Sequence, residues 1–292
     1  NSPLQIWLMA ARPKTLPAGL TPVIIGAALA RADSRFHLLS VLAAMVASIL
    51  IQVGTNFAND YFDFVKGTDT EERVGPARAT QKGLVAPWVM LMATILVFAL
   101  ACLPGYYLIL RGGIPIIVIG ILSIFCGVLY TGGPYPLGYL GLGDVFVLIF
   151  FGPVAVGGTY YVQAQDWDSL ALIAGLAPGL ISMAILTVNN LRDADTDVKT
   201  GKKTLAVRFG KTFARMEYAV TMFAGMVLVP LYLCYMSEGH YGALASCLVF
   251  IPGLMAIYKV FTLNGADLNI MLAQTGKLLM IFSILFSVGW LL

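Results

Sequence analysis

The chain has 292 residues, of which 59% are hydrophobic and 11% are charged, and its mean hydropathy is +0.85. A soluble domain carries about 25% charged residues, so this chain has too few ionisable groups to cover a surface exposed to water. The composition excludes a soluble enzyme, a disordered chain and a disulfide-rich secreted module, and it favours a polytopic membrane protein. The net charge of +3 says little about binding partners.

Long apolar runs predict an all-α bundle with nine transmembrane helices, since a spanning helix needs about 20 mostly apolar residues. In chain order the predicted spans are 15–33, 37–58, 86–110, 114–131, 144–164, 168–190, 213–236, 241–262 and 274–292. Pro17 and Pro22 interrupt the first span, which is the weakest of the nine. The whole chain, 1–292, is expected to form one integral-membrane domain.

The basic residues predict the orientation of this bundle. If the N-terminus is cytoplasmic, 15 of the 18 Lys and Arg residues lie on the cytoplasmic side. The positive-inside rule therefore predicts a cytoplasmic N-terminus, and nine spans then place the C-terminus on the periplasmic side. Two cytoplasmic loops, 59–85 and 191–212, are long and charged, whereas a third, 132–143, is uncharged and rich in Gly, Pro and Tyr. We expect the functional site at this face.

Two clusters of acidic and amide side chains follow the second and the sixth predicted spans. The first cluster contains Asn56, Asn59, Asp60, Asp63 and Asp69, and the second contains Asn189, Arg192, Asp193, Asp195 and Asp197. Side chains four residues apart share one face of a helix, as in the Asn59–Asp63 and Asp193–Asp197 pairs. The two clusters are separated by four predicted spans. This spacing predicts a weak parallel repeat, with halves of roughly 15–131 and 144–262 and a site where they meet.

The clusters predict a magnesium–diphosphate clamp at the membrane surface. Carboxylates this close together repel each other unless a cation lies between them. Oxygen ligands favour Mg²⁺, which proteins usually hold through one or two carboxylates and the phosphates of a substrate. Lysine and arginine side chains around both clusters suit a bound phosphate or diphosphate. The alternative is that the acids only solvate two loops, but their occurrence at equivalent helix ends argues against it.

The motifs Asn59-Asp60-x-x-Asp63 and Asp193-x-x-x-Asp197 resemble the two aspartate-rich motifs of the UbiA-type intramembrane prenyltransferases. The stretches 12–22, 130–144 and 189–204 are similar to the bacterial members that prenylate 1,4-dihydroxy-2-naphthoate in menaquinone synthesis. One position departs from the family pattern. The usual third aspartate of the first motif is Gly67 here, and the nearest acid is Asp69.

The resemblance implies a bundle of nine helices with a central cavity open to lipid, and an active site on the cytoplasmic side of a bacterial inner membrane. It implies an enzyme that uses Mg²⁺ and a polyprenyl diphosphate. The expected reaction transfers the polyprenyl group to 1,4-dihydroxy-2-naphthoate, with loss of CO₂ and diphosphate, and gives a demethylmenaquinone. No nucleic-acid partner is expected.

Within this interpretation, each candidate residue has an expected role. Asp60, Asp63, Asp193 and Asp197 are the expected catalytic ligands of two Mg²⁺ ions, with Asn59, Asp69 and Asn189 as further metal contacts. Lys66, Arg78, Lys82, Arg192, Lys202 and Lys203 are the expected diphosphate ligands. Asn56, Tyr130, Tyr135 and Tyr139 are the expected contacts of the acceptor or the prenyl chain. Aromatic faces that could stabilise an allylic cation by cation–π attraction are those of Phe57, Tyr61, Phe64, Phe125, Tyr130, Phe150 and Phe151.

Three alternatives stay open at this point. A prenyltransferase of the same fold could use 4-hydroxybenzoate, homogentisate or haem as acceptor. The uncharged stretch after the fourth span argues against 4-hydroxybenzoate, because that branch carries basic residues there. A membrane CDP-alcohol phosphotransferase also uses aspartates, but within a single segment. A cation transporter would place its acids near the middle of the bilayer rather than at helix ends.

Overall fold

The computed structural model of this chain describes residues 2–69, 74–237 and 239–292. In these residues all regular elements are helical and no strand occurs, which confirms the all-α prediction. The α-helices are α1 (Pro3–Ala11), α2 (Leu16–Ala32), α3 (Leu38–Val65), α4 (Pro87–Gly112), α5 (Ile114–Leu129), α6 (Gly143–Ile149), α7 (Ala155–Ala164), α8 (Ser169–Lys199), α9 (Leu205–Phe209), α10 (Lys211–Phe223), α11 (Val229–Ser237), α12 (Phe250–Thr262) and α13 (Asn269–Leu291). Short 3₁₀ or π-helical segments join several of them.

Eight helical stretches of the described chain are long and apolar enough to cross a membrane, so the protein is a multi-pass membrane protein. They are Pro3–Ala32, Leu38–Val65, Pro87–Gly112, Gly143–Ala164, Ser169–Lys199, Lys211–Ser237, Tyr241–Thr262 and Gly265–Leu291. The remaining predicted span corresponds to α5, which has 16 residues, fewer than the about 20 needed to span. The count of nine and the orientation of the termini stay predictions. Arg73, one of the basic residues of loop 59–85, lies outside the described residues, as do Glu71 and Glu72.

The helices that carry the two clusters continue beyond the predicted ends of their spans. Helix α3 ends at Val65 and α8 at Lys199, so both clusters lie largely on helices and not in loops. Hydropathy falls where the Asn and Asp residues begin, but Leu191 and Ala194 are still buried in the core, and this packing keeps α8 helical. The extra turns hold the acidic side chains in fixed directions.

A sharp bend precedes α7 and brings two aromatic side chains towards the bundle interior. The segment Phe150–Val154 contains Pro153, and Gly152 has the non-helical angles φ −117° and ψ −114°. Gly152 also approaches α8 closely, because a Cβ built on Gly175 would lie 2.6 Å from its carbonyl carbon. Glycine is therefore required on both sides of this contact, as in other close helix pairs of membrane proteins.

The segment between α3 and α4 is attached to the bundle by a small apolar cluster. Ala79 and Val85 of this segment are buried together with Phe57 of α3 and Met90 of α4, and α1 packs on the same cluster through Ala10. The part of this segment at 74–86 is therefore fixed against the cluster end of α3.

Candidate active site

A large cavity of about 950 Å³ connects the ends of α3 and α8 with the interior of the bundle. Asp63, Asp193 and Asp197 line its polar end, and apolar and small side chains of α4 and α5 line much of its length. The structure thus places residues of both clusters on one cavity.

Side chains from three surrounding loops contact the carboxylate of Asp63. Its Oδ2 accepts a hydrogen bond of 2.7 Å from Nη2 of Arg78, and its Oδ1 accepts one of 2.6 Å from the hydroxyl of Tyr139. The Nζ of Lys202 lies 3.6 Å from Oδ1. The carboxylate is buried, so these two hydrogen bonds and the nearby ammonium of Lys202 compensate a charge that would otherwise be costly in this position.

On α8, Arg192 organises the second cluster. Its guanidinium forms a bidentate pair with Asp193, with distances of 2.7 Å from Nε and 2.5 Å from Nη2. It also donates to the side-chain oxygens of Asn189 at 2.7 Å and Asn269 at 2.9 Å. Arg192 therefore holds the side chains of these three neighbours in place. Asn269, at the start of α13, is a site residue that the sequence patterns did not indicate.

Asp60 faces away from the cavity. Its two carboxylate oxygens accept hydrogen bonds from the backbone N–H groups of Ala79 at 3.0 Å and Thr80 at 3.1 Å. Asp69 is also buried outside the cavity lining, 3.2 Å from Nε of Arg78. Arg78 thus lies between Asp63 and Asp69, on the segment that Asp60 holds.

The first-cluster asparagines hold neighbouring segments. Oδ1 of Asn59 accepts a 2.8 Å hydrogen bond from the hydroxyl of Thr131, and Nδ2 of Asn56 donates to the carbonyl of Ala11 at 2.9 Å. The Asn56 contact fixes the turn after α1, where Arg12 has a positive φ of 54°. This turn places Arg12 and Lys14 on the cavity wall.

Arg12 and Lys14 count towards the predicted topology and belong to the stretch 12–22 that resembles the family, but the sequence patterns assign them no role in the site. Pro13 between them could have drawn attention to this position, because proline ends a helix and so forces the chain to turn after α1. Nothing in the local pattern shows that the turn lies on the same cavity as the two clusters.

The basic residues differ in their access to the cavity. Lys202 lines it, whereas Lys82 and Lys203 are exposed and outside the lining. Lys66 is exposed and donates to the carbonyl of Gly133 at 2.7 Å. Partial loss of hydration lowers the pKa of Lys66, and the negative charge of Asp63 partly opposes this shift.

The ring of Tyr139 lies between two ammonium groups, 4.7 Å from that of Lys202 and 5.1 Å from that of Lys66. Burial, and then the nearby charge of Asp63, raise the pKa of Tyr139 far above its ordinary value. The phenol therefore stays protonated and donates to Asp63. Tyr130 also lines the cavity, but Tyr135 is 75% exposed and outside it.

Only some of the predicted aromatic side chains reach the cavity. Phe150 and Phe151 line it beside Tyr130, and so does Phe146, which the sequence analysis did not select. The ring of Phe146 stacks on that of Phe150 with 6.2 Å between centroids. The other predicted rings, of Phe57, Tyr61, Phe64 and Phe125, lie outside the cavity lining.

Comparison with known proteins identifies the family. The sequence profile of the UbiA prenyltransferase family matches residues 19–289. The chain belongs to the UbiA prenyltransferase family. It is similar to the 1,4-dihydroxy-2-naphthoate octaprenyltransferase of Haemophilus influenzae, with 37% identity over 100% of this chain and 97% of the relative. The enzyme of the same name from Escherichia coli is 36% identical over 98% of this chain and 94% of the relative.

Solved structures of other members share the fold. A UbiA homologue from Archaeoglobus fulgidus bound to DMAPP and Mg²⁺ superposes with a TM-score of 0.68 at 14% identity, covering 98% of each chain. This UbiA-family chain therefore has the same overall helical arrangement as that homologue.

The acidic residues of this UbiA-family site fit a metal that is shared with a substrate. Among the described residues, no three Asp, Glu, His or Cys side chains form a group that could hold a metal ion alone. Asp63 lies on α3, and Asp193 and Asp197 lie on α8, all on one cavity beside basic side chains. Carboxylates from two helices would hold Mg²⁺ together with phosphate oxygens, which is the usual mode for this ion.

Proposed function

We propose that the protein is a Mg²⁺-dependent prenyltransferase that joins the polyprenyl group of a polyprenyl diphosphate to 1,4-dihydroxy-2-naphthoate, giving the quinol form of a demethylmenaquinone, CO₂ and diphosphate. The main observation in support of this proposal is that one cavity has a charged end and a long apolar part. That division matches a substrate with a diphosphate head and a hydrocarbon tail. The names of the relatives that cover the full chain support the naphthoate as acceptor.

We assign the head of the donor to the space between α3 and α8. Asp63, Asp193 and Asp197 would hold two Mg²⁺ ions, with the amide oxygens of Asn59 and Asn189 as further contacts. When bound, Mg²⁺ neutralises the charge that develops on the departing diphosphate. The A. fulgidus homologue, which binds DMAPP and Mg²⁺, supports this assignment. Asp60 instead anchors the segment that carries Arg78, and Asp69 orients Arg78.

Arg78 and Lys202 are the side chains placed to bind the diphosphate oxygens, because both contact Asp63 and both line the cavity. A guanidinium binds phosphate oxygens in a bidentate manner, and an ammonium adds a compact charge. Lys66 lies nearby on the exposed side. Lys82 and Lys203 contribute to the positive face of the membrane protein rather than to the clamp.

The bond between the prenyl carbon and the diphosphate oxygen breaks in this site and leaves an allylic cation. Tyr130, Phe150 and Phe151 offer aromatic faces that stabilise a cation without reacting with it, and apolar walls exclude water from it. The electron-rich naphthoate ring then forms the new carbon–carbon bond. Its carboxylate leaves as CO₂, and the electrons of the broken bond return to the ring.

We assign the carboxylate of the acceptor to the turn that carries Arg12 and Lys14, since this turn is a second basic part of the cavity wall. Arg12 is suited to bind a carboxylate. Tyr130 and Tyr139 would contact the ring of the acceptor. We place the charged end of the cavity in the cytoplasm of a bacterial cell, with the helices in the inner membrane, because most Lys and Arg residues lie at that end.

The acceptor can be tested with purified protein in lipid nanodiscs. Octaprenyl diphosphate and Mg²⁺ are supplied with 1,4-dihydroxy-2-naphthoate, 4-hydroxybenzoate or homogentisate, and prenylated products and CO₂ are measured. We expect product and CO₂ with the naphthoate alone, and none after chelation of Mg²⁺. Product from 4-hydroxybenzoate or homogentisate, with none from the naphthoate, would refute the proposed acceptor.

Matched variants test the clamp. Asp63→Asn and Asp193→Asn should each reduce kcat by about 10²- to 10³-fold, the range seen when one group that stabilises transition-state charge is removed. Asp195→Asn is the control, because Asp195 lies on the same turn of α8 but is 79% exposed and pairs with Lys211. Normal turnover in Asp63→Asn or Asp193→Asn, or an equal loss in Asp195→Asn, would contradict the clamp.

A further inference from the structure

Two loops from distant parts of the chain meet beside Asp63. The tyrosine loop, residues 132–143, lies between α5 and α6 and carries Tyr139, whose hydroxyl donates to Asp63 at 2.6 Å. The lysine loop, residues 200–204, lies between α8 and α9 and carries Lys202, whose ammonium is 4.7 Å from the centre of the Tyr139 ring. Each loop thus brings one side chain to the same carboxylate.

Arg208, on α9, joins the two loops. They already meet through the backbone, since the N–H of Lys203 donates to the carbonyl of Tyr139 at 2.8 Å. The Nε of Arg208 donates to the carbonyl of Lys203 at 2.9 Å, and its Nη2 donates to the carbonyl of Leu140 at 2.8 Å. The planar guanidinium presents these donors in a rigid fork, so one side chain holds both loops at a defined separation. Helix α9 is itself anchored, because Ala206 is buried in the core.

Gly141 makes the close approach of the two loops possible. Its φ is +73°, a backbone conformation that glycine adopts without steric cost. A Cβ built at this position would lie 2.7 Å from the carbonyl oxygen of Lys203 and 3.3 Å from Nε of Arg208. A side chain at position 141 would therefore separate the loops at the contact that Arg208 closes. The glycine and the arginine support the same junction by independent means.

The junction determines where the phenol of Tyr139 lies. Leu140, which Arg208 holds, directly follows Tyr139 in the chain, so loss of the Arg208 contacts would release the backbone on that side of the ring. Hydrogen bonds weaken steeply when their distance and angle leave the optimal range. A misplacement of about 1 Å in an active site can reduce turnover by up to about 10²-fold. Arg208 lies outside the cavity lining, so its effect on the reaction must pass through the loops.

We propose that Arg208 is a positioning residue for the prenyl transfer: by tying the tyrosine loop to the lysine loop, it holds the phenol of Tyr139 on Asp63. This proposal rests on the proposed function, in which Asp63 holds Mg²⁺ and Tyr139 contacts the acceptor. In this arrangement Arg208 touches neither substrate. Its contribution to turnover should therefore depend on the presence of the Tyr139 hydroxyl.

A double-mutant cycle in nanodiscs tests this dependence. The kcat with octaprenyl diphosphate, Mg²⁺ and the naphthoate is measured for Arg208→Ala, for Tyr139→Phe and for the double variant. We expect each single change to reduce kcat by about tenfold and the double change to reduce it by no more than about twentyfold, because both remove the same contact. Independent effects would instead multiply to a loss of about a hundredfold. Arg208→Lys, which retains the charge but not the fork, should recover part of kcat.

Two further variants complete the test. Arg215→Ala is the matched control, because Arg215 also donates to a backbone carbonyl, that of Val260 at 3.1 Å, and lies outside the cavity lining. Its replacement should leave kcat within about twofold of the parent. Gly141→Ala is a second way to open the junction. It should reduce kcat by about tenfold alone and add little to Tyr139→Phe, so the test stays decisive if Arg208→Ala fails to fold.

Normal kcat in the junction variants that fold would overturn the proposal, and so would a multiplicative loss in the double variants or an equal loss in Arg215→Ala. If the parent prenylates only 4-hydroxybenzoate or homogentisate, the proposed acceptor is wrong, and the same cycle run with that acceptor still tests Arg208. A parent that transfers no prenyl group to any aromatic acceptor would refute the proposed function, and the positioning role with it.

Discussion

Substitution of Asp60 distinguishes two roles that the sequence motif does not separate, those of a metal ligand and of an anchor for the loop. In the structure its carboxylate is buried and accepts two backbone hydrogen bonds, from Ala79 and Thr80. In Asp60→Asn, one oxygen remains as an acceptor and an NH₂ group faces the other backbone N–H. One buried donor then loses its partner, while the shape of the side chain is retained.

The size of the effect follows from those two bonds. A hydrogen bond to a charged group contributes about 1.5–3 kcal/mol, and a buried donor without a partner costs about 1–3 kcal/mol. We expect Asp60→Asn to lower the free energy of unfolding by about 2–4 kcal/mol, and Asp60→Ala, which removes both bonds, by about 3–6 kcal/mol. The segment that carries Arg78 would loosen, so KM for the polyprenyl diphosphate should rise.

The assay combines thermal unfolding in nanodiscs with a Mg²⁺ titration of the initial rate. Asp60→Asn should lower the unfolding temperature and leave the Mg²⁺ concentration for half-maximal activity unchanged. Asp63→Asn should raise that concentration, and Asp195→Asn should change neither quantity. If Asp60→Asn increases the Mg²⁺ requirement while its stability stays normal, Asp60 is a metal ligand and the anchoring role is wrong.

Three further predictions concern the cavity wall. Lys202→Ala should raise KM for the diphosphate donor by about tenfold, the loss expected for one charge-assisted hydrogen bond. Lys203→Ala should have little effect on this KM, and steady-state kinetics of the two variants tests the difference. Arg12→Ala should raise KM for the naphthoate and not for the donor, and the reverse result would assign Arg12 to the diphosphate. Tyr139→Phe should reduce kcat by about tenfold, because the hydrogen bond to Asp63 is lost. The raised pKa keeps the phenol protonated, so the alkaline limb of the pH–rate profile should be the same in this variant as in the parent. Tyr135→Phe is the exposed control.

Composition and periodicity predict the all-α membrane fold well because the bilayer requires long apolar helices. The same reasoning fails at the ends of α3 and α8. There the hydropathy falls at Asn59 and Asn189, but α3 continues for about two more turns and α8 for about three. Hydropathy reports which residues prefer lipid, whereas helix length at the surface depends on packing, such as that of Leu191 in the core.

The sequence predicts which acidic residues belong to the candidate site, but it does not predict which role each of them has. The motif spacing places Asp60 and Asp63 side by side, and only the fold shows that one faces backbone donors and the other faces the cavity. Arg12 and Asn269 join the site from opposite ends of the chain. Single-sequence patterns contain no information about such distant contacts, so the turn after α1 and the start of α13 were missed. The internal repeat with halves near 15–131 and 144–262 stays a prediction.

The most direct test of the account is an experimental structure of the protein in lipid with Mg²⁺ and a non-reactive thio analogue of octaprenyl diphosphate. The account predicts that the diphosphate lies between Asp63 and Asp193, in contact with Arg78 and Lys202, with the chain directed along the apolar cavity. A diphosphate bound elsewhere, for example between the turn after α1 and α13, beside Lys14 and Lys277, would contradict it.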